Sequence, residues 1–502
     1  MKLLLPLSLL ILIGAGHLGF AQNQRPNILF LIADDWSYPH AGVYGDQAVR
    51  TPAFDRLAAE GALFSNAYTA SPSCSPSRAS ILTGRYPHEN RSGGNLWSEW
   101  PAGIPTYVDL LGKNGYFSGS TRKGWGPGDF QVAGLAHNPA GKTYADFEAF
   151  LTEKPQDQPF VFWFGSSDPH RDYVANTGIQ SGMKLSEVVV PGFLPDNDCV
   201  RNDILDYYFE VERFDRECGQ MIRKLREMGV LDQTIIVMTS DNGMPFPRAK
   251  ANLYDYGTRM PLAIRWPEKI KPGTVVSDFV NFVDFAPTFL EAAGLTPSGM
   301  SGQSLWPLLA GEKQRREQVF LERERHANVR KGDLSYPMRA IRNEQFLYIW
   351  NPMPERDPSG NPSVHRSVGQ YGDVDNSITK YLIMAMEVKE EKYNPNFFAL
   401  SFDKRPEEEL YDVVSDPFQL NNLASDPSYA KTKKKLRASL LEWMEKTGDP
   451  RLKNPRSTYW DELRYTPSYQ HQDVNISEQI GLYRILPPLG PESREGIPCL
   501  EE

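Results

Sequence analysis

The densest chemistry in the chain lies in Ser71-Pro72-Ser73-Cys74-Ser75-Pro76-Ser77-Arg78, a run that continues through Ile81 and Leu82 to Thr83-Gly84-Arg85. A thiol stands among hydroxyls, with a guanidinium close behind it. The prolines fix φ and remove two backbone donors, so the chain ahead of Pro76 is expected to be extended. Ser77 then caps a short helix that starts at Arg78 and is closed by Gly84. Cys74 would sit just in front of that helix, where free N–H groups and the helix dipole favour negative charge. A nucleophile facing an anionic substrate fits such a place; so does a surface loop with a buried thiol.

Three other runs carry groups of similar promise, and each follows a strand. Residues 28–33 are continuously apolar, the pattern of a central strand covered on both faces, and they end in Asp34-Asp35. Adjacent carboxylates at a buried strand end repel each other and lose solvation unless a cation neutralises them. Ligands of open α/β sheets bind at that edge; a plain surface turn is the alternative. Residues 160–165 read as a second buried strand, followed by Asp168-Pro169-His170-Arg171, which makes His170 a candidate general acid at the same edge. Residues 234–240 form a third, followed by Asp241-Asn242-Gly243.

The elements that must position these groups follow from periodicity. Thr51-Pro52 opens a helix that Gly61 ends. Residues 201–228 form a long amphipathic helix with Ile204, Tyr208, Val211, Phe214, Ile222 and Leu225 on one face. From about Ser335 the pattern changes: residues 338–342 and 345–350 read as a hairpin, 409–412 as a further strand and 428–446 as a helix. The expected fold is α/β, a large mixed sheet between helices with a smaller antiparallel-sheet-plus-helix subdomain. The expected division is a leader 1–21, a catalytic domain 22–334, a C-terminal subdomain 335–455 and a tail 456–502.

The 502 residues leave ample room for such a core, and the net charge of -9 disfavours nucleic acid or an anionic membrane as partner. Met1-Lys2, the apolar run 3–12 and a cleavage site after Ala21 read as a signal peptide. Pro6, Gly14 and Gly16 interrupt the run, whereas a membrane span needs about 20 apolar residues. The mature protein is expected to be exported, periplasmic or secreted, without a membrane span. Besides Cys74 there are Cys199, Cys218 and Cys499, enough for one internal disulfide whose pairing the sequence leaves open.

The run from Cys74 to Arg85 resembles the signature of the type I, formylglycine-dependent sulfatases. In that family a maturation enzyme oxidises the cysteine to formylglycine. The resemblance implies an alkaline-phosphatase-like fold and a sulfuric ester hydrolase. It assigns the first strand and Asp34, Asp35, Asp241 and Asn242, together with the converted Cys74, to one divalent cation. Hard oxygen ligands of flexible number favour Ca2+, with Mg2+ second. Lys250 matches a sulfate-binding lysine, His170 a histidine on the bridging oxygen, and His88 a pocket-lining histidine.

Residues 121–127, Thr-Arg-Lys-Gly-Trp-Gly-Pro, stand where the family has G-K-W-H-x-G, in one of two registers. Either Lys123 is the sulfate-binding cation and Trp125 replaces the histidine, or Arg122 and Gly124 take those places. Trp125 then offers a face to a sugar ring. The implied mechanism is attack on sulfur by a hydroxyl of the hydrated formylglycine. Arg78, Lys123, Lys250 and the cation hold the developing charge, His170 assists the leaving group, and the second hydroxyl expels sulfate.

Asp168-Pro169-His170-Arg171, residues 240–247, Asn252-Leu253-Tyr254 and residues 335–339 are similar to the heparan N-sulfatase branch, which adds Arg171 as a substrate contact. The implied partner is a sulfated oligo- or polysaccharide, first N-sulfoglucosamine of heparan-type chains. An O-sulfated algal glycan of ulvan type is the alternative substrate. A phosphodiesterase or phosphonate hydrolase of the same superfold is the alternative from another class.

Overall fold

The structure, a computed structural model, describes residues 25–312, 316–364, 368–388 and 394–463. The leader 1–21 and most of the expected tail lie outside the described residues. No helix among the described residues is long and apolar enough to cross a membrane.

An eight-stranded sheet forms the centre. In chain order its strands are β1 (Asn27–Ala33), β2 (Ala62–Phe64), β3 (Phe117–Arg122), β4 (Thr143–Tyr144), β5 (Phe160–Gly165), β6 (Thr234–Ser240), β7 (Leu262–Arg265) and β8 (Thr274–Val276). Their spatial order is β8-β2-β7-β6-β1-β5-β3-β4. β1 runs parallel to both β5 and β6, while β7 is antiparallel to its two neighbours. The sheet is therefore mixed, as expected.

The unbroken apolar run of β1 has a direct consequence. Leu29, Leu31 and Ala33 enter one hydrophobic layer, with α1 (Pro52–Glu60) and the long α3 (Asp198–Glu227). Ile28, Phe30 and Ile32 enter the other, with α2 (Cys74–Thr83) and α4 (Phe285–Ala292). Both faces of the strand are covered, so both parities must be apolar. Because β1, β5 and β6 are parallel neighbours, the three polar runs that follow them emerge at one edge.

The second part is a four-stranded antiparallel sheet in sequential order: β9 (Gln318–Arg323), β10 (Met338–Asn343), β11 (Phe346–Trp350) and β12 (Glu408–Asp412). One face packs Leu321, Ala340, Leu347 and Ile349 against Tyr68, Leu253 and Tyr254 of the part built on the eight-stranded sheet. The other packs Ile341, Tyr348 and Leu410 against Leu436, Leu440 and Trp443 of α6 (Ala430–Thr447). The subdomain thus begins before the boundary expected at residue 335. The sequence hid β9 because Glu322-Arg323-Glu324-Arg325-His326 suits a polar sugar pocket and an ordinary surface equally well, yet all five residues are buried. Among the four cysteines, Cys74 and Cys218 are free and buried, and Cys199 is disulfide-bonded.

Candidate active site

Cys74 is the first residue of α2, not a residue ahead of it. Pro76 does not delay the helix, because the third helical position lacks an intrahelical acceptor for its N–H in any case. Ser73 occupies the N-cap position but makes no side-chain cap. Its Oγ instead lies 2.8 Å from His326 Nδ1, which arrives from the second part of the molecule. Ser77, the expected cap, donates from Oγ to the Asp241 carbonyl at 2.6 Å and so ties α2 to the end of β6.

Around this helix start the three strand-ending runs converge. Cys74 Sγ lies 3.5 Å from Asp34 Oδ1, and ligand atoms of Asp34, Cys74 and Asp241 all lie within 4.8 Å of one another. Arg78 donates from Nε to Asp241 Oδ2 at 2.7 Å and from Nη1 to the Lys123 carbonyl at 2.6 Å. Its Nη2 has no hydrogen-bond partner. Lys123 Nζ holds both oxygens of Asp34, at 2.7 and 2.6 Å. Arg122 turns the other way, onto Glu217 at the surface, so that of the two it is the lysine that faces the site. Lys250 Nζ bridges Asp35 Oδ2 at 2.7 Å and Asp375 Oδ2 at 3.0 Å. His170 donates from Nδ1 to the Arg171 carbonyl at 2.6 Å, which leaves Nε2 pointing to the site, 3.9 Å from Asp35.

The electrostatics show a site short of positive charge. Asp34, Asp35, Asp241 and Asp375 face three permanent cations, Arg78, Lys123 and Lys250. Burial would raise the Asp34 carboxyl, but Lys123, His170 and Arg78 outweigh it and hold it well below the usual range. Burial does raise Asp35, against Lys250 and His170, and pushes Asp241 up to about 6 despite Arg78. Asn242 gives its Nδ2 to Asp35 at 2.7 Å, while its Oδ1 is buried without a partner. Excess carboxylate beside an orphaned amide oxygen fits an oxygen-coordinated divalent cation. Burial also pushes the Cys74 thiol well up, offset only in part by Lys123. A thiol kept protonated is a poor nucleophile.

Three expected substrate contacts are elsewhere. The Trp125 indole is buried, donates from Nε1 to the Ser75 carbonyl at 3.1 Å and packs edge-on against Trp100. It buttresses the first turn of α2 and presents no face to a sugar. Arg171 is paired at 2.7 and 2.9 Å with both oxygens of Asp203 and covered by Tyr173 and Phe246. His88 bonds Glu322 through Nδ1 at 2.7 Å and packs against Trp443 of α6. Glu322 belongs to a second buried cluster at the junction of the two parts. Arg339 there reaches Glu322 at 3.2 Å, Glu324 at 2.8 Å and Asp449 at 2.5 Å, and Arg451 reaches Glu324 at 2.6 Å.

The sequence gives neither His326 nor Asp375 a role of its own. His326 ends a charged run that suits a sugar pocket or a surface alike; burial lowers its imidazole to about 3, so it is neutral. Its neighbours Ala327 and Val329 pack against Cys74 together with Leu96. Asp375 lies in a polar stretch with no motif around it.

The sulfatase family model matches residues 26–131 and 136–295, more than half of the chain. This chain belongs to the sulfatase family. As a sulfatase it is a sulfuric ester hydrolase. A second model, the C-terminal region of N-sulphoglucosamine sulphohydrolase, matches residues 248–350 of this sulfatase. Among curated relatives, an ulvan-active sulfatase of Formosa agariphila is 30% identical, over 85% of this chain and 76% of its own. Human N-sulphoglucosamine sulphohydrolase is 29% identical, over 86% and 92%. A solved structure described as a complex with its substrate D-glucosamine-2-N,6-O-disulfate has the same fold, with a TM-score of 0.62 and 21% identity, over 86% of this chain and 99% of that one.

Proposed function

We propose that this protein is an exported, formylglycine-dependent sulfatase of sulfated glycans, with a terminal N-sulfated glucosamine as its first substrate. One observation carries the mechanism. Cys74 lies buried at the helix start, 3.5 Å from Asp34, with its thiol held protonated. The position is built for chemistry that a bare thiol cannot do. Conversion by a maturation enzyme would supply a hydrated aldehyde, one hydroxyl to attack sulfur and one to release sulfate. Asp34, Asp35, Asp241 and Asn242 would hold one divalent cation, Ca2+ by the hardness of the set, which would polarise the nucleophile and the sulfate oxygens.

The chain's own groups divide the remaining work. Lys123 hydrogen-bonds both oxygens of Asp34, Lys250 hydrogen-bonds Asp35 and is ion-paired with Asp375, and each ammonium keeps a donor for a sulfate oxygen. The free Nη2 of Arg78 faces the same cluster, 3.7 Å from Asp34. These donors stabilise charge as it builds on the transferred group. His170, fixed through Nδ1, offers Nε2 to the leaving atom, and its side chain is 34% exposed, open to substrate.

The substrate reading is supported by the match over 248–350, which spans Lys250 and His326. A second reading, sugar O-sulfate of an ulvan-type glycan, has the support of the Formosa relative. Peptide mass spectrometry tests the nucleophile: the Cys74 peptide should be lighter by about 18 Da, whereas ordinary thiol oxidation adds mass. Sulfate release from N-sulfoglucosamine, heparin oligosaccharides and ulvan oligosaccharides tests the substrate. Release from ulvan alone would refute the first reading and leave the second. Faster turnover of a matching phosphate ester would refute both.

A further inference from the structure

Between β11 and β12 the chain leaves the four-stranded sheet at Trp350 and re-enters it at Glu408. Neither family match reaches into this excursion, since the later one ends at residue 350. Yet the excursion touches the catalytic machinery at two points. Asp375 places its carboxylate 3.0 Å from Lys250 Nζ, and its ligand atom lies within 4.8 Å of those of Asp35 and His170. Thr379 donates from Oγ1 to Asp203 Oδ2 at 2.6 Å, the same carboxylate that holds Arg171 next to His170.

Asp375 is itself held by the two residues that precede it. Its neighbour Asp373 is paired with Arg323 and Arg330. The carbonyl of Val374 accepts from the buried Lys380 Nζ at 2.7 Å. The carboxylate is thus a fixed point, set in place by the excursion's own contacts.

We infer that Asp375 is a positioning residue for Lys250, and this rests on Lys250 being a sulfate-binding amine. A lysine stem has many rotamers, and an amine useful to a transition state must be aimed before the substrate arrives. Asp35, the amine's other partner, is also a candidate ligand of the cation and cannot serve both fully. Asp375 is not among the residues proposed to hold that cation. Its negative charge, 3.0 Å away, holds the Lys250 ammonium in place whatever Asp35 is doing and leaves a donor of that amine for the sulfate group.

The test is a double-mutant cycle on the full, matured protein: Asp375→Asn, Lys250→Ala and both together. Calorimetry with inorganic sulfate and KM for a sulfated saccharide are the readouts. Asp375→Asn alone should weaken sulfate binding and raise KM by about ten-fold, and in the Lys250→Ala background by less than about two-fold. Asp375→Glu, which keeps the charge, should recover part of the loss and stands in if the Asn variant does not fold. Equal losses in both backgrounds, or none in either, would overturn the inference. If no sulfated saccharide is hydrolysed but sulfate binding still follows the cycle, the proposed activity fails and the role of Asp375 stands. A wild-type protein that binds no sulfate overturns the inference together with the role given to Lys250.

Discussion

Two buried charged clusters lie in this molecule, made of the same residue types and finished differently. At the junction of the two parts, Glu322, Glu324 and Asp449 meet Arg339, Arg451 and His88. Three negative groups face three groups able to be positive, and none of their buried nitrogens or oxygens lacks a partner. At the strand ends, four carboxylates face three permanent cations, and Asn242 Oδ1, Asp375 Oδ2 and Arg78 Nη2 have no hydrogen-bond partner. The first cluster is complete and rigidifies a junction. The second is left short by a cation and an anion, which is the state of a site that binds both. A buried charge set that does not close on itself marks function.

The largest expected effect strikes the open cluster. Asp241→Asn should lower turnover by at least about 1,000-fold and calcium affinity by about 100-fold or more, because ligand and Arg78 anchor are lost together. Added calcium should raise the melting temperature of the wild type and not of this variant. A variant that still gains stability from calcium would sink the cation assignment.

In the closed cluster, Arg339→Met should cost about 3–5 kcal/mol of stability in denaturant titrations, since it leaves Asp449 without its cation and takes one partner each from Glu322 and Glu324. Calcium affinity should hardly change. Equal damage to calcium affinity would mean that the two clusters are one unit.

A smaller effect is tied to pH. Burial alone would lower the His88 imidazole, but Glu322 outweighs it and, with Asp449 helping and Arg339 opposing, raises the pKa from 6.5 to about 9. A raised folded pKa stabilises most below pH 6.5 and stops doing so as pH climbs through about 9. Stability should therefore fall across that window by an amount on the order of 3 kcal/mol. His88→Gln should flatten the slope; an unchanged slope would assign it to another group. The smallest effect is Arg122→Gln, which gives up the surface partner Glu217 and the contact of the guanidinium with the Phe164 ring. Turnover should stay within about two-fold and stability within about 1 kcal/mol. A large loss of turnover would reopen the register of the 121–127 loop.

What the sequence made legible follows the same contrast. The open cluster could be read because its groups sit at the ends of unbroken apolar strands and in one dense motif: Asp34, Asp35, Cys74, Arg78, Lys123, His170, Asp241, Asn242 and Lys250 all arrive in one place. The closed cluster could not, because ion pairing hides burial. Glu322 to His326 have the composition of a solvated face, and only their partners, Arg339 and Arg451 for the two glutamates, reveal otherwise. His88 failed for that reason. Trp125 and Arg171 failed for another: a side chain beside a catalytic loop can as well hold the loop as meet the substrate. The Ser75 carbonyl and Asp203 had claimed them. Asp375 sits far along the chain from every motif, so nothing local announced it.

β9 has a further consequence. Glu322 and Glu324 join the closed cluster, Arg323 turns to Asp373 beside Asp375, and a few residues on His326 meets Ser73. One short strand is thus stitched into the junction, the substrate-side excursion and the nucleophile helix at once. The chain cannot be inherited or engineered as two modules. A catalytic half ending near residue 317 would lose its neutral histidine, and a transplanted C-terminal half would carry Glu322 and Glu324 into an interior with no His88 to meet them.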